Sequence, residues 1–126
     1  MPGMPAYVAS KARCDRPPKT VAGEVAHQGI RVNAVCPGPV DTRMIHTLEE
    51  QISPADPAAV GARYQAAIPS GRYTMVDEIA NMVLFLCYDL ASNTTGGQFV
   101  VDGGRTATGG ASGEAVKPRT ISHTAR

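Results

Sequence analysis

The stretch that most constrains the fold is an apolar run that stops abruptly in a Pro-Gly-Pro turn. The run is Ile30-Arg31-Val32-Asn33-Ala34-Val35-Cys36, and it continues as Pro37-Gly38-Pro39-Val40-Asp41-Thr42. It contains β-branched and small apolar residues, is too short for an independent helix, and is followed at once by turn residues. The pattern predicts a buried β-strand that delivers a tight loop to a ligand.

Composition limits the classes of function. The chain has 126 residues, the length of one domain or part of one, and its 12 basic and 11 acidic residues give a net charge of +1. Such a balance lacks the basic surface of a nucleic-acid-binding protein. The longest hydrophobic run, Met82 to Cys87, is too short to span a bilayer, and the three cysteines form no CxxC pair. We therefore expect a cytoplasmic protein with no nucleic-acid or membrane partner and no metal site.

The remaining patterns predict an α/β chain. A first helix is expected to begin at Tyr7 and to stop at Pro17 and Pro18, because a proline costs about 3 kcal/mol in a helix interior. A second helix is expected over 19–28, with Gly29 as its C-terminal cap. After the strand, the patterns predict a short helix at Ala58–Ala67, a helix at Val76–Leu86 and a second strand at Gln98–Val101.

This order predicts a parallel αβαβ arrangement, in which the connection between the two strands contains a helix. Met75, Met82 and Phe85 are assigned to the core. The polar stretch 43–69, interrupted by Pro54 and Pro57, is expected to be a long insertion of the kind that carries function. Residues 1–104 are expected to form the folded portion and residues 105–126 a disordered tail.

Two residues have the spacing for acid–base chemistry. Tyr7 and Lys11 are four positions apart and share one face of a helix, so the lysine cation would favour the phenolate and lower the tyrosine pKa. A solvated helix face is the alternative interpretation of this pair, and a simple strand terminator is the alternative for the Pro-Gly-Pro turn. His46 and Tyr64 are candidates for lining a pocket, but a surface histidine and a helix-packing tyrosine are the favoured interpretations.

Several motifs occur together in one order. They are Tyr7-Val8-Ala9-Ser10-Lys11-Ala12, Gly29-Ile30-Arg31-Val32-Asn33-Ala34-Val35-Cys36-Pro37-Gly38, Thr42, Gly71-Arg72, Glu78-Ile79-Ala80, Phe85-Leu86, Gly97-Gln98 and Val101-Asp102-Gly103-Gly104. From Met4 to Gly104 they resemble the C-terminal half of the short-chain dehydrogenase/reductase family. The resemblance implies an incomplete, doubly wound Rossmann-type parallel sheet. It also implies an NAD(P)-dependent oxidoreductase, in homo-oligomers, that acts on a small-molecule carbonyl or alcohol.

The resemblance also implies roles for individual residues. Tyr7 would be the catalytic acid/base, and Lys11 would lower its pKa and hydrogen-bond the nicotinamide ribose. The other cofactor-binding residues, on the loop that receives the nicotinamide of NAD or NADP, would be Pro37, Gly38, Val40 and Thr42.

Two departures from the family pattern separate the function hypotheses. The sequence contains no GxxxGxG-type turn for the dinucleotide pyrophosphate, and the six residues before Tyr7 leave no place for the family's catalytic serine. We therefore expect a truncated oxidoreductase. The alternative is a non-catalytic remnant or oligomerisation module that lacks the phosphate site.

Overall fold

The computed structural model describes residues 17–107. Along the chain these form α1 (Pro17–Val25), a 3-10 turn (Ala26–Gln28), β1 (Ala34–Pro37), α2 (Arg43–Ile52), α3 (Pro57–Ala66), α4 (Val76–Cys87), a second 3-10 turn (Asp89–Ala91) and β2 (Gln98–Val101). The expected α/β class is confirmed, because the sheet consists of two parallel strands. The helix expected at Tyr7 lies outside the described residues.

The chain divides into two compact units. Within the described residues, the first contains 17–37 and 76–101, and the second contains 38–75 and 102–107. The first unit holds the two strands with α1 and α4, and the second holds α2, α3 and the terminal turn.

The strand pair is the centre of the first unit. Residues Ala34 to Pro37 pair in register with Gln98 to Val101, so the strand expected at Gln98–Val101 is confirmed. Just before the ladder, the Asn33 side chain donates from Nδ2 to the Thr94 carbonyl at 2.7 Å, and its Oδ1 accepts the Gly97 N–H at 3.0 Å. These two bonds fix the turn that leads into β2.

The first strand begins later than the sequence predicts. The expected strand started at Ile30, but β1 starts at Ala34. The Val32 N–H donates to the Thr95 hydroxyl at 3.0 Å, and the Val32 carbonyl accepts the Gly96 N–H at 2.7 Å. Turn groups thus replace ladder bonds over this half of the run. The predicted burial is wrong as well, since Ile30 is 49% exposed and the β1 side chains are half-buried or exposed.

The helices of the first unit follow their local signals. α1 starts at Pro17, two residues before the expected start. A backbone N–H in the first helical turn has no partner within the helix, so proline, which has no N–H, is well accommodated there. Gly29 caps the following 3-10 turn with a φ of 74°, in the left-handed region that glycine adopts without cost. α4 matches the prediction within one residue and contacts both strands.

Few apolar side chains of the first unit are fully buried. Ala22, Leu86 and Ala91 are buried, and Met82 on α4 is half-buried. The prediction that Phe85 belongs to the core is wrong, since it is 43% exposed. The same holds for Met75 of the second unit, which is 50% exposed. The apolar periodicity correctly predicted α4, but it did not predict which apolar side chains of this helix are buried.

The second unit packs α2 against α3. α3 was expected at Ala58–Ala67 and is observed one residue earlier, with Asp56 as its N-cap accepting the Ala59 N–H at 3.0 Å. α2 was not predicted, because the sequence around it is polar and punctuated by prolines. Ile68 and Tyr73 are buried in this unit together with the carboxylate of Glu49. Among residues 17–107, no helix is long and apolar enough to cross a membrane.

A buried carboxylate organises the terminal turn. Asp102 accepts hydrogen bonds from the Gly104 N–H at 2.9 Å, the Thr106 N–H at 2.8 Å and the Thr106 hydroxyl at 2.7 Å. Burial opposes its ionisation, but these bonds outweigh burial and lower the pKa of Asp102. The turn therefore extends as far as Ala107, and residues 108–126 lie outside the described part of the chain.

Replacing Asp102 should test this turn. In Asp102→Asn an amide faces two or three donors in place of a carboxylate, so we expect the free energy of unfolding in urea at pH 7 to fall by about 1–3 kcal/mol. Because the folded-state pKa is lowered, the contribution is present above the unfolded value of about 3.9 and is lost as pH falls through the folded value. The difference between the proteins should shrink on acidification. Glu50→Gln, at an exposed carboxylate, is the control. Equal stability of Asp102→Asn and the parent protein at pH 7 would contradict this role.

Candidate functional site

The loop that the sequence predicts to meet a ligand directly follows the carboxyl end of a parallel strand. β1 ends at Pro37, and the Pro37–Thr42 loop leads into α2. Ligands of open α/β sheets bind outside the carboxyl ends of their strands, so the loop has the location of a binding element.

Two backbone hydrogen bonds hold the middle of this loop. Val40 forms a parallel bridge with Thr74, in which the Thr74 N–H donates to the Pro39 carbonyl at 2.9 Å and the Asp41 N–H donates to the Thr74 carbonyl at 2.8 Å. The bridge uses the neighbours of Val40, so the N–H and carbonyl of Val40 point away from Thr74. The bridge thus fixes the direction of the Val40 N–H but does not itself use this donor.

Thr42 occupies the N-cap position of α2. Its backbone is extended, with φ −146° and ψ 162°, and its carbonyl accepts the Ile45 N–H at 3.0 Å. Its hydroxyl makes no capping bond, although threonine commonly caps in this position, and instead donates to the Val40 carbonyl over a long 3.4 Å. The hydroxyl is therefore only weakly engaged, and it lies at the positive end of a helix dipole.

Gly38 has a packing role that the sequence did not reveal. A Cβ at this position would lie 2.8 Å from both Cα and Cβ of Asp102. Two interpretations of the Pro-Gly turn are consistent with the sequence, a close approach to a ligand and a strand terminator. The geometry adds a third, because only glycine lets the loop pass this close to the terminal turn.

A chain of side-chain bonds connects the loop to the interior of the second unit. The two ring nitrogens of His46 lie at 2.7 Å from Asp41 Oδ1 and 3.0 Å from Glu49 Oε2. The Tyr73 hydroxyl donates to Glu49 Oε1 at 2.6 Å. We call these four residues, Asp41, His46, Glu49 and Tyr73, the His46 cluster.

Burial increases from one end of the His46 cluster to the other. The side chain of His46 is 53% exposed and that of Glu49 is 8% exposed, while Tyr73 is buried. Hydrogen bonds to Glu49 and Asp41 raise the pKa of His46, and the Tyr73 hydroxyl bond followed by the His46 bond lowers that of Glu49. Burial and the Glu49 bond raise the pKa of Tyr73. Glu49 is therefore an anion anchored between two donors.

The sequence does not point to most of the His46 cluster. The interpretation of His46 as a surface residue matches its exposure, but Glu49 and Tyr73 have no predicted role. A histidine and a glutamate three positions apart share a helix face, so their contact was within reach once α2 had been recognised. The bond to Tyr73 spans 24 positions and had no local signal.

The other predicted site residues are placed as follows. Tyr7 and Lys11 lie outside the described residues, so their roles stay predictions. Within residues 17–107, no group of three His, Cys, Asp or Glu side chains is arranged to hold a metal ion. An open cleft of about 450 Å³ in the first unit is lined by Arg31, Asn33, Val35, Val83, Leu86 and Cys87, none of which is a predicted site residue.

Two glycine substitutions should have opposite effects on stability. Gly38→Ala forces its new methyl group against backbone atoms of Asp102, so we expect the free energy of unfolding to fall by about 1–3 kcal/mol. Gly23→Ala in α1 meets nothing within 4 Å, and we expect it to raise that free energy by about 0.5–1 kcal/mol through the better helix propensity of alanine. Urea unfolding of both variants measures this. A neutral Gly38→Ala would show that the loop moves away from Asp102 without cost.

Comparison with known proteins gives a consistent family. A family model described as enoyl-(acyl carrier protein) reductase matches residues 1–106. The oxidoreductase UcpA of Salmonella typhimurium is 43% identical over 105 residues, which are 83% of this chain and 40% of UcpA. The chain thus spans about two-fifths of the length of this relative.

Solved structures agree in fold. A short chain dehydrogenase family protein from Francisella tularensis superposes with a TM-score of 0.79 at 34% identity, covering 85% of this chain and 46% of that one. L-sorbose reductase from Gluconobacter frateurii, complexed with NADPH and L-sorbose, superposes with a TM-score of 0.73 at 29% identity, covering 79% of this chain and 39% of that one. The chain belongs to the short-chain dehydrogenase/reductase family.

Proposed function

We propose that this chain provides the nicotinamide-binding and proton-transfer part of an NAD(P)-dependent short-chain oxidoreductase. The reaction is reduction of a small-molecule carbonyl or oxidation of the corresponding alcohol. The observation that carries the proposal is the Pro37–Thr42 loop, in which a backbone N–H turned away from its bridge and a weakly engaged hydroxyl follow the end of a parallel strand. The two groups together suit an amide ligand, because one donates and the other both donates and accepts.

The loop fits the carboxamide of a nicotinamide. The Val40 N–H would donate to the carboxamide oxygen, and the Thr42 hydroxyl would accept from its nitrogen. The NADPH-bound structure of L-sorbose reductase supports the choice of cofactor class. When bound, the cofactor supplies or accepts the hydride.

Tyr7 and Lys11 complete the proposed chemistry. In the direction of reduction, Tyr7 gives its phenolic proton to the carbonyl oxygen as the carbonyl carbon receives hydride, and the product is the alcohol. Lys11 lowers the pKa of Tyr7 by favouring the phenolate, so the tyrosine can exchange this proton near neutral pH. The names of relatives such as UcpA support an oxidoreductase. We place this activity in the reducing cytoplasm, in keeping with the free thiols of Cys36 and Cys87.

A non-catalytic association module is the second candidate. Several large apolar side chains of the first unit are exposed, among them Leu84 at 54%, Tyr88 at 58%, Leu90 at 82% and Val100 at 53%. Exposed apolar residues of this kind favour association with other protein surfaces, including further copies of this chain. The two candidates predict opposite results in a cofactor titration.

A titration with reduced cofactors should distinguish them. For the enzyme we expect saturable binding of NADH or NADPH by fluorescence, with reduced nicotinamide mononucleotide competing and ADP not competing. Thr42→Val removes one neutral hydrogen bond and should weaken binding about two- to tenfold. Thr47→Val, at an exposed position of α2, is the matched control and should bind as the parent protein does. Tyr7→Phe should retain binding and lose turnover. Absence of binding of either dinucleotide to the full chain would favour the association module.

A further inference from the structure

We propose that His46 is a positioning residue that clamps the Pro37–Thr42 loop onto α2 through bonds from both ring nitrogens. The proposal that this fixes the carboxamide-binding groups rests on the proposed function. The clamp itself rests on the geometry of the second unit alone.

The contacts of His46 identify its protonation state. Both ring nitrogens lie within 3.0 Å of a carboxylate oxygen, one from Asp41 and one from Glu49. A neutral imidazole has one N–H donor and one acceptor nitrogen, and a carboxylate offers only acceptors. Both contacts are hydrogen bonds only when the ring carries two protons. The arrangement is therefore that of an imidazolium between two carboxylates.

The bonds form a closed circuit around the loop. Asp41 is bound through its backbone N–H to the Thr74 carbonyl and through its side chain to His46. His46 continues to Glu49, and Glu49 continues to Tyr73, which is adjacent to Thr74 in the chain. The path thus runs from the Asp41 side chain through His46, Glu49 and Tyr73, and it returns through Thr74 to the Asp41 backbone. Loss of the His46 link would release one of the two restraints on Asp41, the residue between the proposed carboxamide-binding groups of Val40 and Thr42.

The buried end of the circuit is tightly packed. Glu49 Oε1 lies 2.8 Å from the position that a Cβ on Gly61 of α3 would take, so only glycine leaves room for this carboxylate. Tyr73 is only 4% exposed. His46 is the exposed link between this fixed carboxylate and the loop. Removing its side chain should therefore loosen the loop without unfolding the unit.

The groups around His46 determine the direction of a pH effect. Asp41 approaches it from the loop and Glu49 from its own helix. Tyr73 is bonded to Glu49, and Tyr64 of α3 interacts electrostatically with Tyr73. Further charged residues on these segments are Arg43, Glu50, Arg63 and Arg72. The Glu49 and Asp41 bonds raise the folded-state pKa of His46 above its usual value of about 6.5. The clamp is thus complete below about pH 6.5 and is lost as pH rises through the raised pKa.

Hydrogen exchange of the Asp41 amide should test the clamp in the full chain. The readout is its protection factor by NMR between pH 5.5 and pH 8.5. For an exposed ion pair, we expect protection in the parent protein to fall about two- to fivefold over this range. His46→Ala should show the low value at every pH. His46→Arg keeps a permanent cation with several donors, so it should show the high value at every pH.

The matched control is His27→Ala, which removes the exposed histidine of the first 3-10 turn and should leave the pH dependence unchanged. Protection that is independent of pH in the parent protein, or unaffected by His46→Ala, would overturn the proposal. Dissociation constants for NADH measured on the same samples should rise in parallel with loss of protection. If protection changes as expected but NADH binds at no pH, the proposed function fails and the clamp stands.

Discussion

The structure depends on the parallel pairing of β1 with β2. Parallel strands cannot be joined by a tight turn, so the chain must leave the end of β1 and make a long excursion before β2 can begin. The Asn33 side chain bonds to residues 61 and 64 positions away, and these bonds help to hold β1 and β2 in register. The sequence of the connection between the two strands, which includes the Pro37–Thr42 loop and α2, can vary as long as the chain returns to β2.

Much of this framework could be predicted from sequence because its signals are local. β2, α3 and α4 were found within about one residue, since α4 has a clear apolar period and all three have turn, cap or proline signals at a boundary. Gly29 was identified as a cap for the same reason. The family itself followed from several motifs in one order, and the match over residues 1–106 confirmed it.

The errors concern interactions between distant residues. The Ile30–Asn33 half of the apolar run was expected to be strand, but Thr95 and Gly96 bind its backbone from more than sixty positions away. α2 has apolar residues at Ile45, Leu48 and Ile52, a helical spacing, but the nearby prolines made the segment look irregular. Glu49 resembles any surface glutamate until Tyr73 is brought against it. Burial depends on which partners the fold supplies, and these distant partners leave no local pattern in the sequence.

The contact between Glu49 and Gly61 bears on how sequences of this kind can diverge. A Cβ at position 61 would lie 2.8 Å from Glu49 Oε1, so the carboxylate of α2 can lie this close to α3 only while position 61 is glycine. Exposed positions on both helices can vary with little effect on this contact, whereas a side chain at position 61 would displace the Glu49 carboxylate. A chain of this kind with a larger residue at position 61 is therefore expected to carry a shorter one at position 49.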